Sequence, residues 1–409
     1  MVVGRGSLAA YAEVAGAEAI DSIRAAAGPV RDARVLHVSG AHGGRVPELL
    51  SALLPLAVDA GLEVEWRVLF GGPELQRVAA ALQDGFQGAE TAIEDADWDA
   101  YLEACARAGH AVTGDWDAVV LHDPGVLGLA AALDERLVWR CNLDASEPDA
   151  PLFQRAGSLA AECAVVAVPD ESFAPEPLRG SRLRESPPGI DPLSPRNIPP
   201  ETRMSGKMVR ALGVDLDWPF ICQVMRLDRW KDPHATLETF ALAREELPQL
   251  QLVVAAELDP AATAGWQAAK EVSDYAGEQP GVRFVTNYEG VGHMELCAIQ
   301  RLARVALHRS LREGVGLGAS EALWKGTPVV GNAQGGVPLQ VRDGVDGYLT
   351  DDPEETAARV VELVRDPGLA IEMGRSGREH VRERFLVTRA LESELRVLGA
   401  ALGATVERR

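Results

Sequence analysis

A glycine-rich segment between two glutamates carries the most specific chemistry in this sequence. Glu313 precedes glycines 314, 316 and 318, and Glu321 follows them within the run Ser-Leu-Arg-Glu-Gly-Val-Gly-Leu-Gly-Ala-Ser-Glu. The segment follows an apolar run and opens a helical pattern, so backbone N–H groups and a helix N-terminus can hold a pyrophosphate. Carboxylates on both sides of a phosphate are favourable where they accept hydrogen bonds from neutral hydroxyls, one on a hexose and one on a ribose. The alternative is that both glutamates are surface charges of a helix.

Two cations, Arg226 and Lys231, follow the apolar run 220–224. Loops at the carboxyl ends of strands are where doubly wound sheets bind ligands. Because the net charge is -21, a bound phosphate must be met by locally placed cations. When a sugar–diphosphate bond breaks, negative charge grows on the diphosphate, and preorganised cations stabilise it without proton transfer. Either cation alone would be interpreted as a solvated surface charge, whereas together with the glycine segment they predict a diphosphate site.

Short apolar runs alternate with helical patterns along the chain, which is typical of parallel sheets covered by helices. The strand-like runs are residues 33–39, 63–69, 118–122, 137–141 and 164–168 in the first half, and 220–224, 251–256, 282–285, 305–307 and 328–331 in the second. Between the two sets, residues 186–200 contain six prolines, which cannot continue a helix. We therefore interpret this segment as a domain linker.

The length of 409 residues suits two domains of about 200 residues each. We predict an α/β protein with two Rossmann-like domains facing across a cleft, where ligands bind. The N-terminal domain spans 1–200 and the donor-binding C-terminal domain spans 201–385. A helical tail begins near residue 378, and its part from about 386–409 packs on the first domain.

Composition excludes several functional classes. The charge of -21 disfavours nucleic acids and anionic membranes as partners. Hydrophobic residues at 47% and charged residues at 25% are typical of a folded globular chain. No apolar stretch of about 18 residues and no signal-peptide pattern is seen. The cysteines form no CxxC pair and lie mostly in apolar runs, which indicates reduced core thiols in a cytoplasmic protein. They are Cys105, Cys141, Cys163, Cys222 and Cys297.

The two cations and the paired glutamates resemble the retaining glycosyltransferases of the GT-B fold, a family that includes sucrose and glycogen synthases. Within that family the chain is most similar to the trehalose synthases, which join a nucleotide diphosphate-glucose to glucose. The similarity covers nearly the whole chain. Its segments are Val35-Leu-His-Val, Gly43-Gly44 with Glu48-Leu-Leu, His122-Asp-Pro, Trp139-Arg-Cys, Ile190-Asp-Pro-Leu-Ser, Phe284-Val-Thr-Asn, Arg312-Glu-Gly and Glu321-Ala-Leu-Trp-Lys-Gly-Thr-Pro-Val.

The resemblance implies a role for each donor-site residue. Glu313 would contact the transferred hexose and Glu321 the ribose hydroxyls, while Arg226 and Lys231 would hold the diphosphate. The nucleotide diphosphate-sugar is then a co-substrate, and no other cofactor is expected. The remaining donor contacts would come from Thr286 and Asn287 against the nucleobase and from the backbone of Gly316, Leu317 and Gly318 at the phosphates.

Two segments of the first half point to the acceptor. Gly43 and Gly44 follow the first strand and resemble the family's loop that closes over donor phosphate and acceptor; a plain strand-to-helix turn is the alternative. His122 and Asp123 end another strand on the same expected edge and can meet acceptor hydroxyls. For these two residues the alternative is a core histidine and a capping aspartate.

Several Asp-x-Asp triplets invite a metal interpretation, because such pairs can bind a divalent ion on a diphosphate. They lie in acidic turn-like stretches and at helix starts, where aspartate caps N-termini. We therefore predict no bound metal. The triplets are Asp95/Asp97, Asp97/Asp99, Asp115/Asp117 and Asp215/Asp217.

The reaction that we predict is transfer of a hexose to a small hydroxylated acceptor, with retention at the anomeric carbon. Glucose is the hexose that we favour. The family implies front-face attack assisted by the leaving phosphate. Alternatives of another class are a nucleotide-sugar-binding protein without transfer activity and an epimerase. The donor nucleobase, the acceptor and the oligomeric state stay open, with a homodimer among the options.

One departure from the family pattern concerns Asn142. The trehalose synthase motif that matches residues 139–144 has a histidine at this position, and in the wider family it lies beside the C6 hydroxyl of the transferred sugar. An amide does not titrate near neutral pH, whereas an imidazole does. We therefore expect that either the donor sugar differs around C6 or the acceptor does, for instance an aminocyclitol or another modified sugar. The alternative is that Asn142 is a tolerated substitute in an ordinary trehalose synthase. Gly125, where the subfamily tends to carry a larger polar residue, would open room near the acceptor.

Overall fold

The computed structural model describes residues 1–40, 46–112, 114–259 and 263–403. They form two compact units. The first consists of Met1–Gly189 with Leu386–Arg409, and the second is Ile190–Phe385. The boundary therefore lies at residue 189 and not at residue 200. The reason is that the proline-rich segment is bound into the second unit: the Ile190 N–H donates to the Phe385 carbonyl at 2.8 Å.

The first unit is built on a six-stranded parallel sheet. Its order is β2-β1-β3-β4-β5-β6, so the chain reverses direction across the sheet between β1 and β3, the switch point of a doubly wound fold. The strands are β1 (Arg34–Gly40), β2 (Glu63–Leu69), β3 (Ala118–His122), β4 (Leu137–Arg140), β5 (Val165–Val168) and β6 (Leu183–Glu185). The central strands β3, β4 and β5 are buried along their whole length, as expected when helices cover both faces.

Helices cover this sheet and close its core. The main cluster combines inward side chains of the strands with those of the helices, among them Phe86, Tyr101, Leu127 and Trp139. Phe86 and Trp139 meet edge to face, with ring centroids 5.4 Å apart. The helices are α1 (Ala12–Ala15), α2 (Ala17–Ala27), α3 (Val46–Asp59), α4 (Pro73–Phe86), α5 (Asp95–Val112) and α6 (Ala150–Glu162), with 3-10 turns at Leu8–Tyr11, Gly28–Val30, Pro124–Ala131, Glu171–Phe173 and Glu176–Leu178.

The second unit has a parallel sheet of the Rossmann order. Its sequence across the sheet is β12-β11-β10-β7-β8-β9, which places the switch point between β7 and β10. The strands are β7 (Phe220–Arg226), β8 (Gln251–Glu257), β9 (Val282–Thr286), β10 (Val305–His308), β11 (Val329–Gly331) and β12 (Gly347–Leu349). Loops that leave β7 and β10 therefore meet at one place on the carboxyl edge.

Helices also pack on both faces of the second sheet, around a core that includes Ile221, Phe240, Val254 and Leu307. The helices are α7 (Thr202–Ala211), α8 (Pro233–Glu246), α9 (Thr263–Glu278), α10 (His293–Leu302), α11 (Gly318–Trp324), α12 (Val337–Gln340), α13 (Pro353–Arg365) and α14 (Pro367–Arg384), with a 3-10 turn at Asn287–Glu289. The final helix, α15 (Val387–Leu402), belongs to the first unit.

The helical tail that the sequence predicts from about residue 378 is two helices. It breaks at Phe385 and Leu386, where Leu386 has extended backbone angles. The break has a packing reason, because the Leu386 backbone lies directly against Gly189. A Cβ added to Gly189 would overlap the Leu386 carbonyl group, so the chain passes between the units at two adjacent points.

Two further properties concern the cysteines and the membrane-spanning capacity of the helices. All five cysteines are buried free thiols, and burial raises the pKa of the Cys105, Cys163 and Cys222 thiols to about 12. Thiols with such pKa values are poor nucleophiles at neutral pH. Within the described ranges, the helices are too short or too polar to cross a bilayer.

A buried ion pair fixes α15 to the first sheet. Arg140 at the end of β4 donates to Glu394 of α15, and both side chains are at most 5% exposed. The Arg140 guanidinium also donates to the Ser186 hydroxyl at 2.9 Å and to the Ser186 carbonyl at 3.2 Å. A carboxylate this deeply buried depends on its partner charge.

Replacing only one member of this pair should be costly. We expect Arg140→Leu to lower the free energy of unfolding by about 3–5 kcal/mol, because Glu394 would stay buried without its cation. The double variant Arg140→Leu/Glu394→Leu should recover part of that loss, since no buried charge remains. Urea unfolding followed by circular dichroism measures both. A double variant as unstable as the single one would contradict the assignment.

Candidate donor and acceptor sites

The loops after β7 and β10 are joined at the switch point of the second sheet. Lys231 and Ser310 form an isolated antiparallel bridge, and the Leu311 N–H donates to the Trp230 carbonyl at 2.7 Å. The Lys231 ammonium donates to the Ser310 hydroxyl at 3.1 Å and to the Glu313 carboxylate. A predicted phosphate cation and the predicted hexose carboxylate are thus in direct contact.

Glu313 is held by three donors from these two loops. Besides Lys231, its carboxylate meets His308 Nε2 at 2.7 Å and accepts from the Ser310 hydroxyl at 2.9 Å. Burial raises the pKa of the Glu313 carboxyl, but the charges of Lys231 and His308 and their hydrogen bonds outweigh it. The pKa therefore lies well below its usual value. Glu313 is an ionised hydrogen-bond acceptor at neutral pH, not a proton donor.

The glycine-rich segment is shaped by close contacts that leave no room for side chains. Gly316 has a φ of 60°, and a Cβ there would lie 2.6 Å from the Glu313 carboxylate and 2.8 Å from His308 Nε2. A Cβ on Gly318 would lie 3.3 Å from the His308 ring. Gly336 also packs here, since its Cβ would overlap the Gly314 carbonyl oxygen. A side chain at Gly316 or Gly318 would therefore displace the Glu313 carboxylate or the His308 ring, and Leu317 and Gly318 are themselves buried.

Glu321 lies in the first turn of α11 and is only 2% exposed. Its Oε1 accepts from Arg196 Nε at 2.7 Å. The two terminal nitrogens of that guanidinium donate to Glu257 at the end of β8, with hydrogen bonds of 2.8 and 3.1 Å. Arg196, which the sequence analysis missed, neutralises two carboxylates at the site. Its signal in the sequence was slight: one cation within a proline-rich segment.

Arg226 ends β7, and its guanidinium donates to Asp259 Oδ2 at 2.6 Å. Both side chains are partly exposed, at 26% and 16%. Asp228 lies in the same loop, where burial raises the pKa of its carboxyl against the lowering effect of Lys231. The two predicted diphosphate cations, Arg226 and Lys231, therefore each have a carboxylate partner.

The predicted nucleobase segment begins with the last residue of β9. The Thr286 N–H donates to Glu289 at 2.9 Å, which starts the 3-10 turn. The Asn287 amide binds the backbone of Leu258 at both ends, accepting from its N–H at 2.9 Å and donating to its carbonyl at 3.2 Å. Asn287 thus joins the loops after β8 and β9, and its side chain shapes this part of the carboxyl edge through the backbone.

The predicted acceptor residues come together in the first unit, at the carboxyl edge of β3 and β4. Asp123 has a φ of 62°, a strained value for a residue with a side chain and one that clusters at functional sites. Its Oδ1 accepts from the Asn142 N–H at 3.1 Å and from Asn142 Nδ2 at 3.2 Å. Asn142 Oδ1 is buried without a hydrogen-bond partner among the described residues.

His122 forms a pair with His37, which the sequence analysis did not single out. His37 Nδ1 lies 3.0 Å from His122 Nε2, and the rings stack with centroids 5.3 Å apart. Burial lowers the pKa of His37 to about 4 and that of His122 well below its usual value. Both imidazoles are therefore neutral near pH 7, with one donating to the other.

A pocket in the first unit brings these polar groups together against an apolar wall. His122, Arg140 and Asn142 form its polar side. Gly125 does not enlarge this pocket as predicted, because a Cβ there would meet Ala79 of α4 at 3.2 Å. The apolar lining is Val46, Leu49, Leu50, Leu53, Pro188, Gly189, Val387 and Ala390.

Two further predictions concern Gly43 with Gly44 and the Asp-x-Asp triplets. Gly43 and Gly44 fall outside the described residues. Aspartates of the Asp-x-Asp triplets have local partners: Asp97 accepts from Arg77 at 2.8 Å, and Asp117 accepts from the Arg34 N–H at 2.8 Å. Asp215 accepts from the Asp217 N–H at 3.0 Å. The first contact is an ion pair between α4 and α5, the second holds the start of β1, and the third forms a turn.

The contacts at Gly316 predict a local loss of stability on substitution. Gly316→Ala should destabilise the second unit more than Gly344→Ala, although both glycines have positive φ values of 60° and 70°. A Cβ at Gly344 has open space, so that variant measures backbone strain alone, about 1–3 kcal/mol. At Gly316 displacement of the Glu313 carboxylate adds to it. Equal shifts of the thermal unfolding midpoint would contradict the packing described.

Comparisons with known proteins find relatives of both units of this chain. Residues 37–175 match the family model described as trehalose synthase, N-terminal domain, and residues 206–380 match glycosyl transferases group 1. The trehalose synthase of Rubrobacter xylanophilus is 37% identical over 98% of this chain and 98% of its own. That of Thermococcus litoralis is 31% identical over 95% and 96%.

Among solved structures, a trehalose 6-phosphate synthase of Burkholderia multivorans is similar in fold. Its TM-score is 0.70 at 15% identity, and the match covers 90% of this chain and 98% of that one. Together with the two doubly wound sheets, this similarity identifies the fold as GT-B, with two Rossmann-like units. The full-length identity to trehalose synthases places the chain in their family: it belongs to the trehalose synthase family of glycosyltransferases.

Proposed function

We propose that this enzyme transfers a hexose from a nucleotide diphosphate-sugar to a small hydroxylated acceptor, with retention at the anomeric carbon. Glucose is the hexose that we favour. One observation carries the proposal: Glu313 is held ionised between Lys231 and His308 at the switch point of the second sheet. Lys231 can bind a phosphate, and Glu313 beside it can accept hydrogen bonds from sugar hydroxyls. A sugar–phosphate bond needs one group of each kind, one on either side of it. The trehalose synthase relatives support the same reaction.

The contacts of the second unit support a donor role for each of these residues. Arg226 and Lys231 hold the diphosphate, and the backbone of 316–318 supplies further N–H donors. Glu313 accepts hydrogen bonds from the hexose. Glu321 meets the ribose hydroxyls, which makes its Arg196 contact part of the ribose site. The nucleobase lies against the loop of Thr286 and Asn287.

The chemical step depends on stabilising the leaving diphosphate. Negative charge grows on it as the sugar C1–O bond breaks, and Lys231 and Arg226 are already in place to meet that charge. Glu313 stays ionised because its pKa is depressed, so it orients the hexose and does not protonate the leaving group. The acceptor hydroxyl attacks from the same face and passes its proton to the departing phosphate.

The acceptor binds at the carboxyl edge of β3 and β4 in the first unit. His122, Asp123 and Asn142 supply polar contacts, and neutral imidazoles suit an uncharged polyol. The proposal includes no bound metal and no further cofactor, and it places the enzyme in the cytoplasm.

A second candidate acceptor is an aminocyclitol or another modified sugar. The observation that favours it is Asn142 Oδ1, a buried acceptor atom without a donor among the described residues. An ammonium or an additional hydroxyl of a bound ligand would satisfy it. A histidine at this position would offer a titratable ring in place of the amide.

The diphosphate assignment predicts the effect of removing either cation. Arg226→Ala and Lys231→Ala should each lower kcat/KM by about 10²–10³-fold, because one charge at the developing oxyanion is worth about 2–4 kcal/mol. Lys207→Ala removes an exposed charge of α7 and should leave turnover unchanged. The assay measures nucleoside diphosphate release with acceptor present, in a metal chelator. Wild-type turnover in both site variants would refute the donor site.

The acceptor assignment predicts a change in acceptor preference at Asn142. Wild-type enzyme and Asn142→His are each offered nucleotide diphosphate-glucose with glucose or with an aminocyclitol, and the products are identified by mass spectrometry. If Asn142 selects a modified acceptor, Asn142→His should raise kcat/KM for glucose relative to the aminocyclitol. Efficient trehalose formation by the wild type, unimproved by the substitution, would establish glucose as the acceptor.

A further inference from the structure

The Arg226 guanidinium already has an anionic partner of this chain's own. Asp259 Oδ2 lies 2.6 Å from Arg226 Nη2, a charge-assisted contact of the kind that a phosphate oxygen makes. Since Arg226 is the proposed diphosphate cation, the carboxylate and the ligand would use the same donor group.

The position of Asp259 in the sheet puts its carboxylate on the side from which a ligand comes. Arg226 is in register with Glu257, the last residue of β8. Asp259 follows two residues later, so it stands beyond the carboxyl edge on the neighbouring strand, where doubly wound sheets bind ligands. It does not stand behind Arg226 within the sheet.

Backbone and side chain of Asp259 have separate anchors. The Trp266 indole N–H donates to the Asp259 carbonyl oxygen at 3.0 Å, and the neighbouring Leu258 backbone is fixed by Asn287. These contacts hold the loop whether or not the carboxylate pairs with Arg226. The backbone position of Asp259 therefore does not depend on the contact between its carboxylate and Arg226 alone.

We propose that Asp259 is an internal competitor of the diphosphate for Arg226. The inference rests on the proposed function of the second unit. A diphosphate on the Arg226 guanidinium would bring like charge beside the Asp259 carboxylate, and Glu313 and Asp228 add negative charge nearby. Donor binding exchanges the carboxylate for phosphate at Arg226. When the nucleoside diphosphate leaves, Asp259 takes the guanidinium back, which weakens product binding and promotes release.

The opposite role is that Asp259 positions Arg226 for the ligand. The two roles predict opposite signs for one substitution. Asp259→Asn keeps the shape and a hydrogen-bond acceptor but removes the charge. If Asp259 competes, the variant binds nucleoside diphosphate more tightly; if Asp259 positions Arg226, it binds more weakly.

The test is calorimetric titration of the full-length enzyme with UDP, ADP, GDP and dTDP. For each nucleotide that the wild type binds, we expect Asp259→Asn to lower Kd by about three- to thirtyfold, the range for removing one like charge at a partly exposed contact. Product inhibition by the same nucleotide should strengthen in parallel. Glu271→Gln removes one exposed carboxylate of α9 and controls for net charge, with an unchanged Kd.

A double-mutant cycle separates this inference from the proposed function. In an Arg226→Ala background, Asp259→Asn should lose its effect on Kd, because the shared donor is gone. If Asp259→Asn leaves Kd unchanged or raises it while Arg226→Ala still impairs binding, the proposed competition is refuted and the donor site stands. If the wild type binds none of the four nucleotides, the proposed function itself fails.

Discussion

The contact between Lys231 and Glu313 is the interaction on which the candidate donor site depends. It joins two loops that leave neighbouring strands of the second sheet, and it places opposite charges where phosphate and sugar would meet. A carboxylate beside a phosphate would otherwise be repelled, and here Lys231, His308 and Ser310 provide the donors that keep Glu313 ionised and oriented. The absent side chains of Gly316 and Gly318 leave space for this arrangement.

The same constraint explains the other charges of the second unit. A chain with a net charge of -21 can hold an anion only where its cations are concentrated, and cations of the second unit are paired with its own carboxylates. Arg226 pairs with Asp259, and Arg196 pairs with Glu321 and Glu257. Under the proposed function, donor binding would exchange some of these ion pairs for contacts with the ligand.

Much of this arrangement could be predicted from the sequence because it follows from local patterns. All ten strands expected from apolar runs are present, within two residues at either end. The strands that were missed, β6 and β12, have three residues each and carry no apolar run. They lie at sheet edges, where a strand needs little hydrophobic pattern. Glycine spacing and position after a strand also pointed to Glu313, Arg226 and Lys231.

The residues that the sequence did not reveal act through contacts distant in the chain. Arg196 meets Glu321 across 125 positions, and His37 meets His122 across 85. No periodicity connects such partners, because tertiary packing alone brings them together. His308 offered a weak signal as a polar residue at the end of an apolar run. The prediction that Gly125 opens space failed for the same reason, since helix α4 fills it.

The chain leaves the first unit after residue 189 and returns to it at residue 386, which has a consequence for biosynthesis. The first unit consists of residues 1–189 and 386–409, so its last helix leaves the ribosome only after the entire second unit has been made. Until then Arg140, at the end of a buried strand, lacks the Glu394 carboxylate that neutralises it. The N-terminal unit therefore lacks α15 until the whole second unit has been synthesised. A single cut at the 189/190 junction yields an N-terminal fragment without that helix.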